Sequence, residues 1–155
     1  MNNKIDFNKI IITFFGIGLL PIAPGTFGSL AGVLLGIIAF SINNIAIFIL
    51  IPILFVTGII CSNIHQKKTG KKDDSIIVID EVVGQLIAMI YAKDNIELII
   101  ISFIIFRIFD IIKPWPASYA DKKIDGGLGV MLDDVFAGLY TAIVIIGMGY
   151  FINNV

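Results

Sequence analysis

The chain has 155 residues, 57% of them hydrophobic and only 15% charged, and its mean hydropathy is +0.98. A soluble domain carries roughly 45–50% apolar and about 25% charged residues, so this chain lies far outside the ordinary soluble range and one compact domain, residues 1–155, is expected with membrane as its solvent. A net charge of −1 offers no basic excess to hold nucleic acid, and the single cysteine, Cys61, excludes an intramolecular disulfide.

Along the chain, Lys4 and Lys9 precede an apolar run over 10–20 that superficially resembles a secretory leader. The run leads into Pro21-Ile22-Ala23-Pro24-Gly25-Thr26 and more apolar sequence, not into a small-residue cleavage site, so it is expected to be retained. It is short for a span, as is 27–42, and one of the two is expected to be re-entrant or interfacial. The Asn43-Asn44 turn makes 27–42 and 45–63 a helical hairpin, with Pro52 as a kink that a membrane helix tolerates. Runs 76–92, 96–112 and 135–152 complete the set. Continuous apolar runs of this length argue for helices and against alternating barrel strands. The predicted fold class is all-α: a membrane bundle of about six hydrophobic helices, four or five spanning, with one short or re-entrant near the N-terminus.

Lysines orient this bundle. Lys67, Lys68, Lys71 and Lys72 form one cluster, and Lys113, Lys122 and Lys123 another. Both are expected on the cytoplasmic side. Run 76–92 then crosses outward, 96–112 returns, and 135–152 leaves again.

Under that topology the polar residues converge on the cytoplasmic face. Asp80 and Glu81 open one run, Arg107, Asp110 and Lys113 close the next, and Asp133 and Asp134 open the last. Charged groups in such runs are costly and face a partner or a wet cavity. Asp80/Gly84 and Asp134/Gly138 are spaced i,i+4, so each acid shares a helix face with a glycine that lets another helix approach. Carboxylates gathered this way repel unless they are protonated or bridged by a cation, and hard oxygen ligands suit Mg²⁺ or Mn²⁺. The metal set expected is Asp80, Glu81, Asp133 and Asp134. The bland reading is that acids at helix starts only favour the dipole.

Arg107, the sole arginine, shares roughly one helix face with Asp110 and Lys113. Its guanidinium fork and the Lys113 ammonium suit phosphate oxygens, with Asp110 orienting Arg107 or acting as base. An internal ion pair with an interfacial Lys113 is the alternative. The glycines and prolines of 21–29 form a loop leading into a helix whose first N–H groups, with Thr26, suit a phosphate; a plain structural turn is as consistent. Trp115 is expected to anchor at the interface. The only histidine, His65, is expected in a solvated loop, and one histidine cannot supply both nucleophile and acid for a histidine-dependent lipid phosphatase. No Asp-x-Asp pair is present. Metal-assisted attack by water is the chemistry left, with direct attack by a carboxylate as a second possibility.

Three segments, GIGLLPIAPGTFGSLAG over 16–32, DDSIIVIDEVVG over 73–84 and FRIFDIIKPWPASYADKKIDGGLGVMLDDVFAG over 106–138, resemble the bacterial phosphatidylglycerophosphatase A family. The resemblance implies a Mg²⁺-dependent phosphatase of the inner membrane that converts phosphatidylglycerophosphate to phosphatidylglycerol and inorganic phosphate. The implied substrate is a phospholipid of the cytoplasmic leaflet. The family's motif positions fall on Thr26, Asp73, Asp80, Glu81, Arg107, Asp110, Lys113, Asp133 and Asp134, with Asp80, Glu81, Asp110 and Asp134 expected as catalytic. Asp74 departs from the family, which often has a histidine there. A small transporter using intramembrane carboxylates, a phosphatase for another phosphorylated lipid, and a soluble relative binding a phosphorylated ligand are the competing readings.

Overall fold

The computed structural model describes residues 6–93 and 95–153, with side chains through Tyr150. The described residues form seven α-helices and no strand: α1 (Phe7–Ile12), α2 (Pro24–Ile42), α3 (Ala46–Thr69), α4 (Ile79–Ala88), α5 (Ile96–Ile112), α6 (Ala117–Lys123) and α7 (Gly127–Asn153). The architecture is the expected all-α bundle.

Local signals set the helix ends. Thr13 closes α1 by donating its hydroxyl to the Lys9 carbonyl (2.7 Å) and accepting from the Gly16 N–H (3.1 Å). Gly16 has φ of 94° and turns the chain into a short 3-10 segment, Ile17–Leu19. Run 10–20 is therefore a broken, short element. Pro24 occupies the first turn of α2, where its missing N–H costs nothing. Asn43 ends α2 and accepts from the Ile45 N–H (2.9 Å), making the expected hairpin with α3. Asn95 caps α5 by accepting from the Leu98 N–H (3.0 Å). Across the bundle, Asn63 on α3 accepts from the first N–H of α7, at Gly127 (2.7 Å).

Among the described residues, three helices are long and apolar enough to cross a membrane: Pro24–Ile42, Ala46–Thr69 and Gly127–Tyr150. α5, with 17 residues, stands at the short limit of a span. Run 76–92 departs from the outward crossing expected of it. Its helix, α4, has 10 residues and measures about 15 Å, half the thickness of the hydrocarbon layer. Every α4 residue except Glu81 is buried, so its apolar character answers to protein neighbours and not to lipid.

α4 packs against α7 and α2, with α3 and α5 completing its surroundings. In lipid, apolar burial alone gains little, and close approach of small residues does more. A Cβ on Gly32 of α2 would stand 2.9 Å from the Val82 carbonyl oxygen, and one on Gly84 of α4 would stand 2.6 Å from the Asp134 carbonyl oxygen of α7. Leu86, Met89, Ile47 and Ile145 fill the core on one side of α4, and Ile79, Val83 and Met131 on the other.

Candidate active site

The glycine contacts fix where the acids go. Asp80 and Glu81 lie in the first turn of α4, and Asp134 lies one turn before Gly138, whose missing Cβ makes room for the Gly84 carbonyl. The backbone approach therefore brings α4 and α7 together at their acidic ends. Asp80, Glu81 and Asp134 each present a carboxylate oxygen within 4.8 Å of the others. Asp134 is 3% exposed, and its Oδ1, like Glu81 Oε2, is buried with no hydrogen-bond partner. Three carboxylates gathered this closely are hard oxygen donors of the kind that would hold a divalent cation such as Mg²⁺.

Asp133, expected among the metal ligands, stands apart from that trio. Its Oδ2 accepts from Lys113 Nζ at 2.5 Å, while its Oδ1 accepts from the Asp134 N–H at 2.9 Å. Lys113 also donates to Asp121 Oδ1 of α6 at 3.2 Å. Burial works against its charge, but the carboxylates of Asp133, Asp121 and Asp134 more than offset this and hold the ammonium well above the usual lysine range. Lys113 takes a left-handed conformation, φ 48°, as the C-cap of α5. Such a conformation costs a non-glycine residue about 1–2 kcal/mol, and it delivers the side chain back toward α7. The turn is secured there by Tyr140, whose hydroxyl donates to the Trp115 carbonyl (2.6 Å). Trp115 is 78% exposed, as an interfacial residue would be.

Arg107 lies six residues before Lys113, on α5. Its Nη1 meets Asp110 Oδ2 at 2.5 Å and donates to Ser29 Oγ of α2 at 3.1 Å, while Nε is buried without a partner. Gly25 of α2 permits this arrangement, because a Cβ there would collide with Glu81 Oε1 and lie 3.4 Å from Arg107 Nη1.

A cavity of about 320 Å³ joins these groups. Thr26, Asp80, Glu81, Arg107, Asp110, Lys113, Asp133 and Asp134 all line it, together with Asp73, Ser75 and the backbone of 23–25. The N-terminus of α2 opens onto it, contributing the partial positive charge of a helix start. Ala23, which precedes that start, is a second lining residue with positive φ, 47°.

Sequence reading passed over two residues of this assembly. Ser29 contacts Arg107 across 78 residues of chain and Asp121 contacts Lys113 from the next helix, neither visible in any local pattern. His65 differs from expectation. It lies in the last turns of α3, not in a solvated loop, is 9% exposed, and its Nε2 is 3.0 Å from Asp74 Oδ2. The hydrogen bond from His65, with support from Lys71, holds the Asp74 carboxyl below the usual carboxylate range. Asp74 thereby pins the loop that carries Asp73 and Ser75 into the cavity wall.

Residues 10–149 match the family described as Phosphatidylglycerophosphatase A. A Phosphatidylglycerophosphatase A of Haemophilus influenzae is 40% identical over 138 residues, covering 88% of this chain and 85% of that protein. A Phosphatidylglycerophosphatase A of Escherichia coli is 35% identical over 145 residues, covering 90% and 80%. A Bacteroides thetaiotaomicron protein provisionally named a phosphatidylinositol-3-phosphatase is 38% identical over 152 residues, covering 88% and 89%. No solved structure matches the chain.

Proposed function

The chain belongs to the phosphatidylglycerophosphatase A family, and from that premise we propose that it hydrolyses the phosphate monoester of phosphatidylglycerophosphate, with Mg²⁺ or Mn²⁺ as cofactor. The products are phosphatidylglycerol and inorganic phosphate. One observation carries this reading. Three residues that line one cavity each hold a buried atom without a hydrogen-bond partner: the acceptors Glu81 Oε2 and Asp134 Oδ1 and the donor Arg107 Nε. Buried polar atoms left unpaired each cost about 1–3 kcal/mol, so the cavity is built for a ligand of both signs. A phosphate ester accompanied by a divalent cation satisfies all three.

Asp80, Glu81 and Asp134 would hold the cation, which supplies charge neutralisation and lowers the pKa of a bound water. Arg107, turned by Asp110 and Ser29, places its remaining donors toward the non-bridging oxygens. Lys113 has three protons. Asp133 and Asp121 take two, and the third is available to a phosphate oxygen at the cavity wall. The N–H groups opening α2, with the Thr26 hydroxyl, add further donors. These groups are aligned before charge develops, which is where electrostatic catalysis gains most.

The substrate reaches the site from the membrane, and Lys67, Lys68, Lys71, Lys72, Lys122 and Lys123 support a cytoplasmic face of the bacterial inner membrane for the cavity mouth. The test is phosphate release by purified protein from phosphatidylglycerophosphate, with Mg²⁺ and with chelator. Release that chelator abolishes and Mg²⁺ restores is the expected result. Phosphatidylinositol 3-phosphate belongs in the same assay because of the Bacteroides relative, and preference for it would replace the head group named here. Equal release with and without chelator would refute the role of the metal.

A further inference from the structure

We propose that Ser29 is a positioning residue for Arg107, fixing which edge of the guanidinium faces the substrate phosphate; this rests on the phosphatase reading above. Ser29 is fully buried on α2. A serine inside a helix commonly bonds the carbonyl four residues back, and Ser29 does so with Gly25 at 2.9 Å. That bond alone would be local and ordinary. What sets Ser29 apart is the use made of its oxygen: with its one proton committed to Gly25, the hydroxyl can only accept, and the donor it meets is Arg107 Nη1 of α5 at 3.1 Å.

Two contacts then orient the fork. Nη1 donates to Ser29 and lies 2.5 Å from Asp110 Oδ2 in an ion pair. That end of the guanidinium is held from two helices, by a neutral acceptor on α2 and a carboxylate on α5. Nε, on the edge away from Nη1, is buried and without a partner, and Arg107 lines the cavity, so that edge is the one left for the phosphate. Asp110 alone, one turn away on the same helix, leaves the fork free to swing about their shared ion pair. Ser29 removes that freedom. A neutral acceptor does this without adding negative charge to a cavity that already holds several carboxylates.

The experiment is a double-mutant cycle on phosphate release from phosphatidylglycerophosphate, using Ser29→Ala in the wild-type and Arg107→Lys backgrounds. In the wild-type background kcat falls about tenfold with KM little changed, less than the roughly 10²–10³-fold cost of losing a direct transition-state donor. In the Arg107→Lys background, where no fork remains to be oriented, Ser29→Ala changes kcat less than about twofold. Ser29→Cys replaces the strong acceptor with a weak one at a position of similar shape, and gives a loss of kcat close to that of Ser29→Ala. An equal factor in both backgrounds, or full activity of Ser29→Cys, overturns the proposal. Wild-type protein that releases no phosphate from either lipid instead removes the phosphatase reading, and is seen before any variant is made.

Discussion

Lys113 and Asp133 form an ion pair, Nζ to Oδ2 at 2.5 Å, that ties the end of α5 to the acidic stretch of α7. Asp133 is 5% exposed, so its charge depends on that cation. Removing one member of a buried pair costs about 3–5 kcal/mol, and the low end applies because the Lys113 side chain is 27% exposed. Lys113→Met should therefore lower the thermal midpoint in detergent and impair phosphate release. Lys113→Met/Asp133→Leu should recover most of the stability without the activity. Recovery of activity in the double variant would show that Lys113 does not meet the phosphate.

The two aspartates of α7 are expected to separate in function. Asp134→Asn removes an oxygen from the group formed with Asp80 and Glu81, and should cut the rate about 10²–10³-fold, corresponding to several kcal/mol. The Mg²⁺ concentration for half-maximal activity should rise with it. Asp133→Asn should cost about tenfold and leave that Mg²⁺ dependence near wild type, because its partner is Lys113. Matching Mg²⁺ shifts in both variants would return Asp133 to the metal set.

Gly84→Ala should be felt both as instability and as lost rate. The added methyl meets the Asp134 carbonyl oxygen at 2.6 Å and the Phe106 ring at 2.6 Å, leaving no flexible neighbour to yield. Overpacking of this kind costs about 1–3 kcal/mol and pushes α4 away from α7. Thermal unfolding and phosphate release on the same preparation would show the two losses together. A stable variant with normal activity would mean the helices tolerate a wider separation.

The His65–Asp74 pair carries a pH signature. Asp74 titrates lower in the folded protein than the ordinary value of about 3.9, so its stabilisation is complete above that value and disappears as pH falls through the lower folded value. At pH 7, Asp74→Asn should lower the thermal midpoint by roughly 3–12 °C, taking about 1.5–3 kcal/mol for a charge-assisted hydrogen bond. The difference between wild type and variant should shrink below about pH 4. A difference independent of pH would assign the effect to packing instead.

The helical class, the hairpin at Asn43-Asn44 and the gathering of acids near glycines were legible because each has a local signature: long apolar runs, a polar turn, a four-residue spacing. The length of α4 was not. Residues 76–92 are as apolar as a span, and hydropathy does not distinguish lipid from a shell of other helices. His65 next to four lysines looks solvated until Asp74 is brought back over it by the turn at Gly70. Asp133 and Asp134 are indistinguishable as neighbours in sequence, and a helix sends them about 100° apart, one to Lys113 and one to the other acids. Ser29 needed a partner from a distant helix to acquire meaning.

The shortness of α4 has a consequence for how the protein comes into being. A ten-residue helix is not stable alone, and this one has almost no surface turned to anything but protein. It can hold its shape only after α2 and α7 have closed on it, and the ribosome delivers α7 after the other six helices. Asp80 and Glu81 are made early yet stay unorganised until Asp134 arrives. A nascent chain halted before α7 carries twelve of the fourteen residues that line the cavity but neither Asp133 nor Asp134, so on the proposed mechanism activity reports that α7 has been both made and inserted.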